Sequence, residues 1–183
     1  MRTPILAVVL AAAALPIALA APAHAELYGV DDPHDTSHGS DVTSLSVRNG
    51  AEDLKITTSH VDLRRDPATG SGGPFYIDTN RRDRGPEYVL SAGFYEGTDY
   101  VLRHTEGFGS KQFGRPVSHG DYMMRVDYRR DQVHVKIQQA TLRTPDAVRV
   151  SVRVSGQRTD GTSHGLVDWV GTKHWFTPWV DRG

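Results

Sequence analysis

Aspartates crowd the first polar stretch of the chain, at Asp31, Asp32, Asp35 and Asp41, and a fifth, Asp78, closes the apolar run Phe75-Tyr76-Ile77. Calcium takes roughly six to eight oxygens, mostly carboxylate and carbonyl, held on backbone that can bend around the ion. These five carboxylates have the chemistry of a structural calcium site if the N-terminal stretch folds back towards Asp78, with Asp83 as a further donor. The spacing is not that of an EF-hand loop, because no Asp-x-Asp-x-Asp-Gly run with a distal Glu occurs. Without that folding back, the same acids are a solvated arm.

Aromatic side chains offer a second chemistry. The apolar face of a pyranose stacks on an aromatic ring while nearby polar groups take its hydroxyls. Trp169, Trp175, Trp179, Tyr95 and Tyr100 are the candidates for such a platform. Trp175 and Trp179 share parity, so on a strand they lie on one face. Core packing accounts for that equally well, since aromatics favour strands.

Catalytic patterns are weaker. Ser-His-Gly occurs at Ser37-His38-Gly39, Ser118-His119-Gly120 and Ser163-His164-Gly165, but no Gly-x-Ser-x-Gly elbow accompanies any of them. His34 and His38 stand four apart in a polar stretch, and no His-Glu-x-x-His is present. A haem would need Met123 or Met124 as an axial ligand, and strand alternation puts one of them in the core. Glu87, Glu96 and Glu106 beside Asp78 and Asp99 are the acids from which a glycosidase pair would have to come, and that chemistry depends on distances between carboxyls. The expectation is a protein that is not an enzyme.

The elements that must position these residues are short strands. Thr43, Leu45 and Val47 alternate with polar residues, and Leu54, Ile56 and Thr58 resume the pattern after Asn49-Gly50, a hairpin signal. After His60 the apolar phase moves to Val61 and Leu63, which predicts a bulge or a crossing between sheets. Phe75, Tyr76 and Ile77 are apolar on both faces and predict a central strand. Tyr88 to Ala92 and Tyr100 to Leu102 follow, joined by a hairpin over Tyr95 to Asp99. Lys111 to Gly120 reads as a loop. Met124, Val126 and Tyr128 pair with Val133, Val135 and Ile137 across Arg129 to Gln132. Thr141 to Pro145 predicts one helical turn, and Val148, Val150, Val152 and Val154 face a core while Arg149 and Arg153 face water. No segment keeps a helical period. About nine short strands at regular spacing predict an all-β, antiparallel sandwich, jelly-roll-like, over residues 41–183. Residues 26–40 read as a polar acidic arm.

Residues 1–25 read as a cleaved signal peptide: Arg2, an apolar run from Ile5 to Ala21, and Ala23-His24-Ala25 at the cleavage site. The expected destination is extracellular, with no membrane insertion after cleavage. Removing 25 of 183 residues leaves 158, a single domain large enough for a core. The chain has no cysteine, which excludes disulfides, cysteine-zinc sites and cysteine nucleophiles. The leader holds one arginine and no acid, so 20 basic residues face 22 acidic ones and the net charge is −2. Charges of both signs are interleaved, which argues against a nucleic-acid partner.

Asp41-Val42-Thr43, the strand Phe75 to Asn80 and Gly85-Pro86-Glu87-Tyr88 together resemble a group of small secreted actinobacterial proteins of unassigned function. Tyr128-Arg129-Arg130, Pro145 to Val150 and Phe176-Thr177-Pro178-Trp179-Val180 extend the resemblance over most of the chain after the leader. Many members of that group carry a cysteine pair at places that fall here near Ser118–His119 and at Thr141, so this chain lacks that bridge. The order of an acidic stretch, two strands and an apolar strand ending Ile77-Asp78 is more distantly similar to family 9 carbohydrate-binding modules and DOMON sandwiches. That similarity implies a sandwich that binds sugar or haem and often holds calcium. The expected function is a secreted, non-catalytic binding module for cell-wall or environmental polysaccharide. The alternatives are a structural or protein-interaction domain of the envelope and, third, a secreted hydrolase.

Overall fold

The structure is a computed structural model that describes residues 25–157 and 166–183. The leader, apart from Ala25, and the triplet Ser163-His164-Gly165 lie outside the described residues. The described chain forms twelve strands: β1 Glu26–Asp31, β2 Val42–Asn49, β3 Asp53–His60, β4 Gly72–Asp78, β5 Tyr88–Gly93, β6 Tyr100–Thr105, β7 Phe113–Pro116, β8 Tyr122–Asp127, β9 Gln132–Gln138, β10 Ala147–Gly156, β11 Leu166–Trp169 and β12 Val180–Asp181. One sheet has five strands in the order β1-β2-β3-β9-β8. The other has seven, β11-β10-β4-β5-β6-β7, with β12 paired to β10. Every pairing is antiparallel, and the two sheets pack as a sandwich.

Alternation builds the core. Leu45, Val47, Leu54, Ile56, Val133, Val135 and Ile137 of the first sheet meet Phe75, Ile77, Leu90, Leu102 and the valines 148, 150, 152 and 154 of the second, all essentially inaccessible to water. Each such side chain stabilises the fold by about 1.5–3 kcal/mol relative to exposure. Strand β4 is central, between β10 and β5, as its apolar sequence predicts. Pro74 has no N–H, so pairing with β10 lapses at Gly73 and Pro74 and resumes at Gly72↔Ser155.

Several local expectations change. The stretch read as an arm begins with a strand, β1, paired along its whole length to β2. The loop expected from Lys111 contains β7, an edge strand. Asn49-Gly50 does form the β2–β3 turn, with the Gly50 N–H donating to Asp53 O at 3.0 Å, but neither residue has a positive φ. Asn49 is instead buried: its Nδ2 donates to Val180 O at 2.9 Å and its Oδ1 accepts from Gln139 Nε2 at 2.7 Å. The helical turn expected over Thr141 to Pro145 lies earlier, as a 3-10 turn at Gln139–Leu142, and two more 3-10 turns cover Pro67–Thr69 and Ser110–Gln112. In the Gln139–Leu142 turn the Thr141 hydroxyl accepts from Asp121 N–H at 3.1 Å, tying this turn to the residue before β8.

The chain after β11 runs along the free side of β10 but leaves it once. Val170 N–H donates to Val152 O. The next partner on β10 is Val150, whose carbonyl accepts from Thr177 N–H and whose N–H donates to Thr177 Oγ1. Residues 171–176 are therefore an excursion inserted where a regular strand would advance by two. Gly171 and His174 take left-handed φ angles of 68° and 64° in it, and Trp175 N–H closes a turn on Thr172 O. This interruption also means that Trp175 and Trp179 do not share a strand face, because only Val180–Asp181 is strand there.

Candidate functional site

On the outer face of the seven-stranded sheet lies an open groove of about 880 Å³. Parity along the strands sets its floor. Phe75 and Ile77 point to the core, so Tyr76 points out, and Arg153 lies directly opposite Trp169 across β10 and β11. The rings of Tyr76 and Trp169 are stacked, 6.0 Å between centroids and 10° between planes. Phe108, from the β6–β7 connection, stands edge-on to Tyr76 at 4.7 Å and stacks on His174 of the excursion at 4.2 Å. Phe113 also stands edge-on to Tyr76, at 6.2 Å, and Tyr76 is itself enclosed, with 1% of its surface exposed. Arg84, Glu106, Gln112, Arg153 and Lys173 stand around this floor.

The groove is braced by its own loops. Tyr76 Oη donates to Phe108 O at 2.7 Å. Burial pushes the Tyr76 hydroxyl up to about 12 against the opposing pull of Arg153, so it stays a donor at neutral pH. Thr105 Oγ1 donates to Gly107 O at 2.7 Å, and Gln112 Oε1 accepts from Gly109 N–H at 2.9 Å. Phe108 is thus held in place by bonds within its own loop. Such an arrangement presents a rigid apolar surface with donors and acceptors around it, the make-up of a small-ligand site.

Of the five aromatics picked out by sequence, only Trp169 belongs to the groove. Trp175 packs against the core beneath Gly171. Trp179 lies between the guanidinium groups of Arg81 and Arg149, each 4.9 Å from its ring centroid. Arg149 therefore does not face open water; it lies under Trp179 and Phe176 and pairs with the buried Asp78 at 2.6 Å. Tyr95 is half-buried against Gly93 in the β5–β6 hairpin, and Tyr100 stands edge-on to Tyr122 at 6.1 Å. Tyr76, Phe108, Phe113 and His174 were not anticipated. Tyr76 was findable, as the middle residue of an apolar triplet must face away from its neighbours. Phe108 and His174 sit in connections without periodicity and carry no such signal.

A second constellation lies on the inner side of β11. Single carboxylate oxygens of Asp35, Asp41 and Asp168 all lie within 4.8 Å of one another. Asp32 stands close enough for its charge to act on Asp168 and to feel Asp35 and Asp41. Asp168 Oδ2 accepts the Val42 N–H at 2.8 Å, bridging the two sheets, and Asp32 Oδ1 accepts the Gly171 N–H at 2.6 Å. Burial, reinforced by the other carboxylates, pushes Asp168 up to about 6 and Asp32 upward as well. Asp41 goes the other way: burial would raise it, but hydrogen bonds from Thr36 and His34 outweigh that and hold it down.

The five sequence-picked aspartates thus separate. Asp32, Asp35 and Asp41 come together, and they are joined by Asp168, which no local pattern marks. Asp31 is exposed on β1. Asp78 is elsewhere: it pairs with Arg149, whereas Asp168 pairs with Val154, five residues along β10. At about 3.3 Å per residue that is some 16 Å. Asp78 instead accepts the Asn80 N–H at 3.1 Å, capping the turn as its position at a strand end suggests.

The serine–histidine motif takes an unexpected form. The hydroxyl bonded to His38 Nδ1, at 2.8 Å, belongs to Ser40 rather than Ser37, and both residues are buried. The acids are dispersed as well. Glu106 borders the groove, while Glu87 accepts the Thr79 N–H at 2.6 Å beside a separate hollow with His104 and Arg143. Glu96 pairs loosely with Arg65 at 3.4 Å. No family model and no curated protein matches the chain.

Proposed function

We propose that the chain is a secreted, non-catalytic carbohydrate-binding module, with a sugar ring seated in the groove against the half-buried Trp169 and Phe108, which rest on the enclosed Tyr76. The observation that carries this reading is the groove itself: half-buried Trp169, Phe108 and Phe113 braced on the buried Tyr76, with hydrogen-bonding side chains around them. A pyranose matches that division, because its C–H face is apolar and its edge is all hydroxyls. Arg84, Arg153 and Lys173 outnumber Glu106 among the groove's charged residues, which favours glycans carrying carboxylate or phosphate groups. Cell-wall polymers include such glycans.

The test is retention on insoluble peptidoglycan, chitin, cellulose and xylan, with Trp169→Ala and Trp179→Ala compared against the parent. Loss of one stacked aromatic is expected to weaken binding by roughly 10- to 100-fold, about 1–3 kcal/mol. Trp179→Ala, outside the groove, should leave retention unchanged while lowering stability. Equal retention by Trp169→Ala and the parent would refute the platform. Retention on none of the glycans favours the second reading, a protein-interaction domain of the envelope. That reading draws on β1, an edge strand that exposes Leu27 to 66% and offers a ladder for strand addition.

A further inference from the structure

We propose that Asp32, Asp35, Asp41 and Asp168 form a calcium site that fastens the β1–β2 connection to β11, on the face of that strand opposite the groove. Distance supports a shared ion. Calcium–oxygen bonds of about 2.3–2.6 Å allow two ligands of one ion to stand up to about 5 Å apart, and the oxygens of Asp35, Asp41 and Asp168 all fall within 4.8 Å of each other.

Asp32 supplies an independent indication. It is nine-tenths buried, and its Oδ1 is engaged by Gly171 N–H. Its Oδ2 is shut off from solvent and has no hydrogen-bond partner among the described residues. An enclosed carboxylate oxygen without a donor is a costly arrangement that a cation resolves. Among the described residues, no lysine or arginine forms an ion pair with any of the four acids. The one cation-capable partner is His34 on Asp41, and with its side chain 61% exposed it is free to give way. The four donors are all hard carboxylate oxygens, which favours calcium over zinc or copper.

The site joins residues more than 120 positions apart in sequence, so an ion bound only by the folded state must raise its stability. The experiment is thermal unfolding of the full secreted chain in calcium and in chelator, with calcium titration calorimetry and terbium luminescence sensitised by Trp169. At a hundredfold excess of calcium over its Kd the melting temperature should rise by about 5–10 °C. Asp35→Asn, at an exposed position that leaves the fold intact, should weaken calcium binding at least tenfold. Asp168→Asn keeps an acceptor for Val42 N–H and should abolish the calcium-dependent shift, and Asp78→Asn should preserve it. Identical melting in calcium and chelator, with no heat of binding and no terbium signal, would overturn the site. So would parent-like calcium binding by Asp35→Asn, which puts the ion elsewhere, or an equal shift with magnesium, which removes the preference for calcium.

Discussion

Asp168 and Trp169 are consecutive in β11, and strand geometry sends one to the acidic cluster and the other to the groove. An ion that holds Asp168 therefore also fixes the strand that carries the platform. Stripping calcium should weaken glycan retention as well as stability, and retention assays with and without chelator read this directly. Calcium-insensitive retention would mean that β11 keeps its place without the ion. His60 offers a second test at the same scale. Its Nδ1–H donates to Ser40 O at 2.8 Å, its Nε2 accepts from Thr58 Oγ1 at 2.7 Å, and its ring packs on Phe94. Burial pulls its imidazole down to about 4, against the Ser40 bond and the charges of Asp131 and Asp41 and together with that of His38. The unfolded chain, with an ordinary histidine near 6.5, binds more protons between those values. The His60 contribution is thus fully present above about pH 6.5 and is lost as pH falls towards 4. Going from pH 7 to pH 5 should cost about 2 kcal/mol through this residue alone. Urea unfolding of the parent and His60→Gln at both pH values isolates it, because other groups cancel in the difference. Equal pH slopes would show that His60 does not titrate in this way.

At the scale of elements, β10 organises the second sheet: β4 lies along one side, and β11, the excursion and β12 along the other. Its valine alternation was plain in the sequence, as were β4, the β8–β9 hairpin and the β2–β3 hairpin, because a strand with one face in the core must alternate. The short edge strands β1 and β7 were not legible, since Glu26–Asp31 is largely exposed and Phe113–Pro116 spans only four residues. Asn49-Gly50 was recognised for the wrong physical reason: the asparagine is there for buried hydrogen bonds to Val180 and Gln139. Close contact between β4 and β10 yields a further prediction. A Cβ on Gly73 would stand 2.0 Å from Arg153 O and 2.8 Å from Val154 Cα, both backbone atoms that cannot swing away. Gly73→Ala should cost about 2–4 kcal/mol, measured by chemical denaturation. A stability change under 0.5 kcal/mol would show that the strands separate there at little cost. Ala at Gly85, which meets nothing within 4 Å but has φ of 111°, would carry only the backbone strain of its turn.

For the whole molecule, both candidate sites draw on stretches far apart in the chain. The groove takes Tyr76 from β4, Phe108 from the β6–β7 connection, Trp169 from β11 and His174 from the excursion. The acidic cluster joins residues 32–41 to residue 168. Periodicity reports each strand separately, so it revealed the sandwich, and residue type marked Trp169 in the groove and Asp32, Asp35 and Asp41 in the cluster, while the assembly of the sites depends on which strands become neighbours. The excursion at 171–176 has a wider consequence. The ladder along β10 is intact at Val170 before it and at Thr177 after it, so the tip of the excursion lies outside the register of the sheet. Gly171, Trp175 and Phe176 tie the detour to Asp32, the core and Arg149, which leaves Thr172, Lys173 and His174 as the exposed stretch that can be exchanged, redrawing one wall of the groove while the sandwich beneath stays the same. A different groove wall in this architecture requires no new fold, only a different detour from one strand edge.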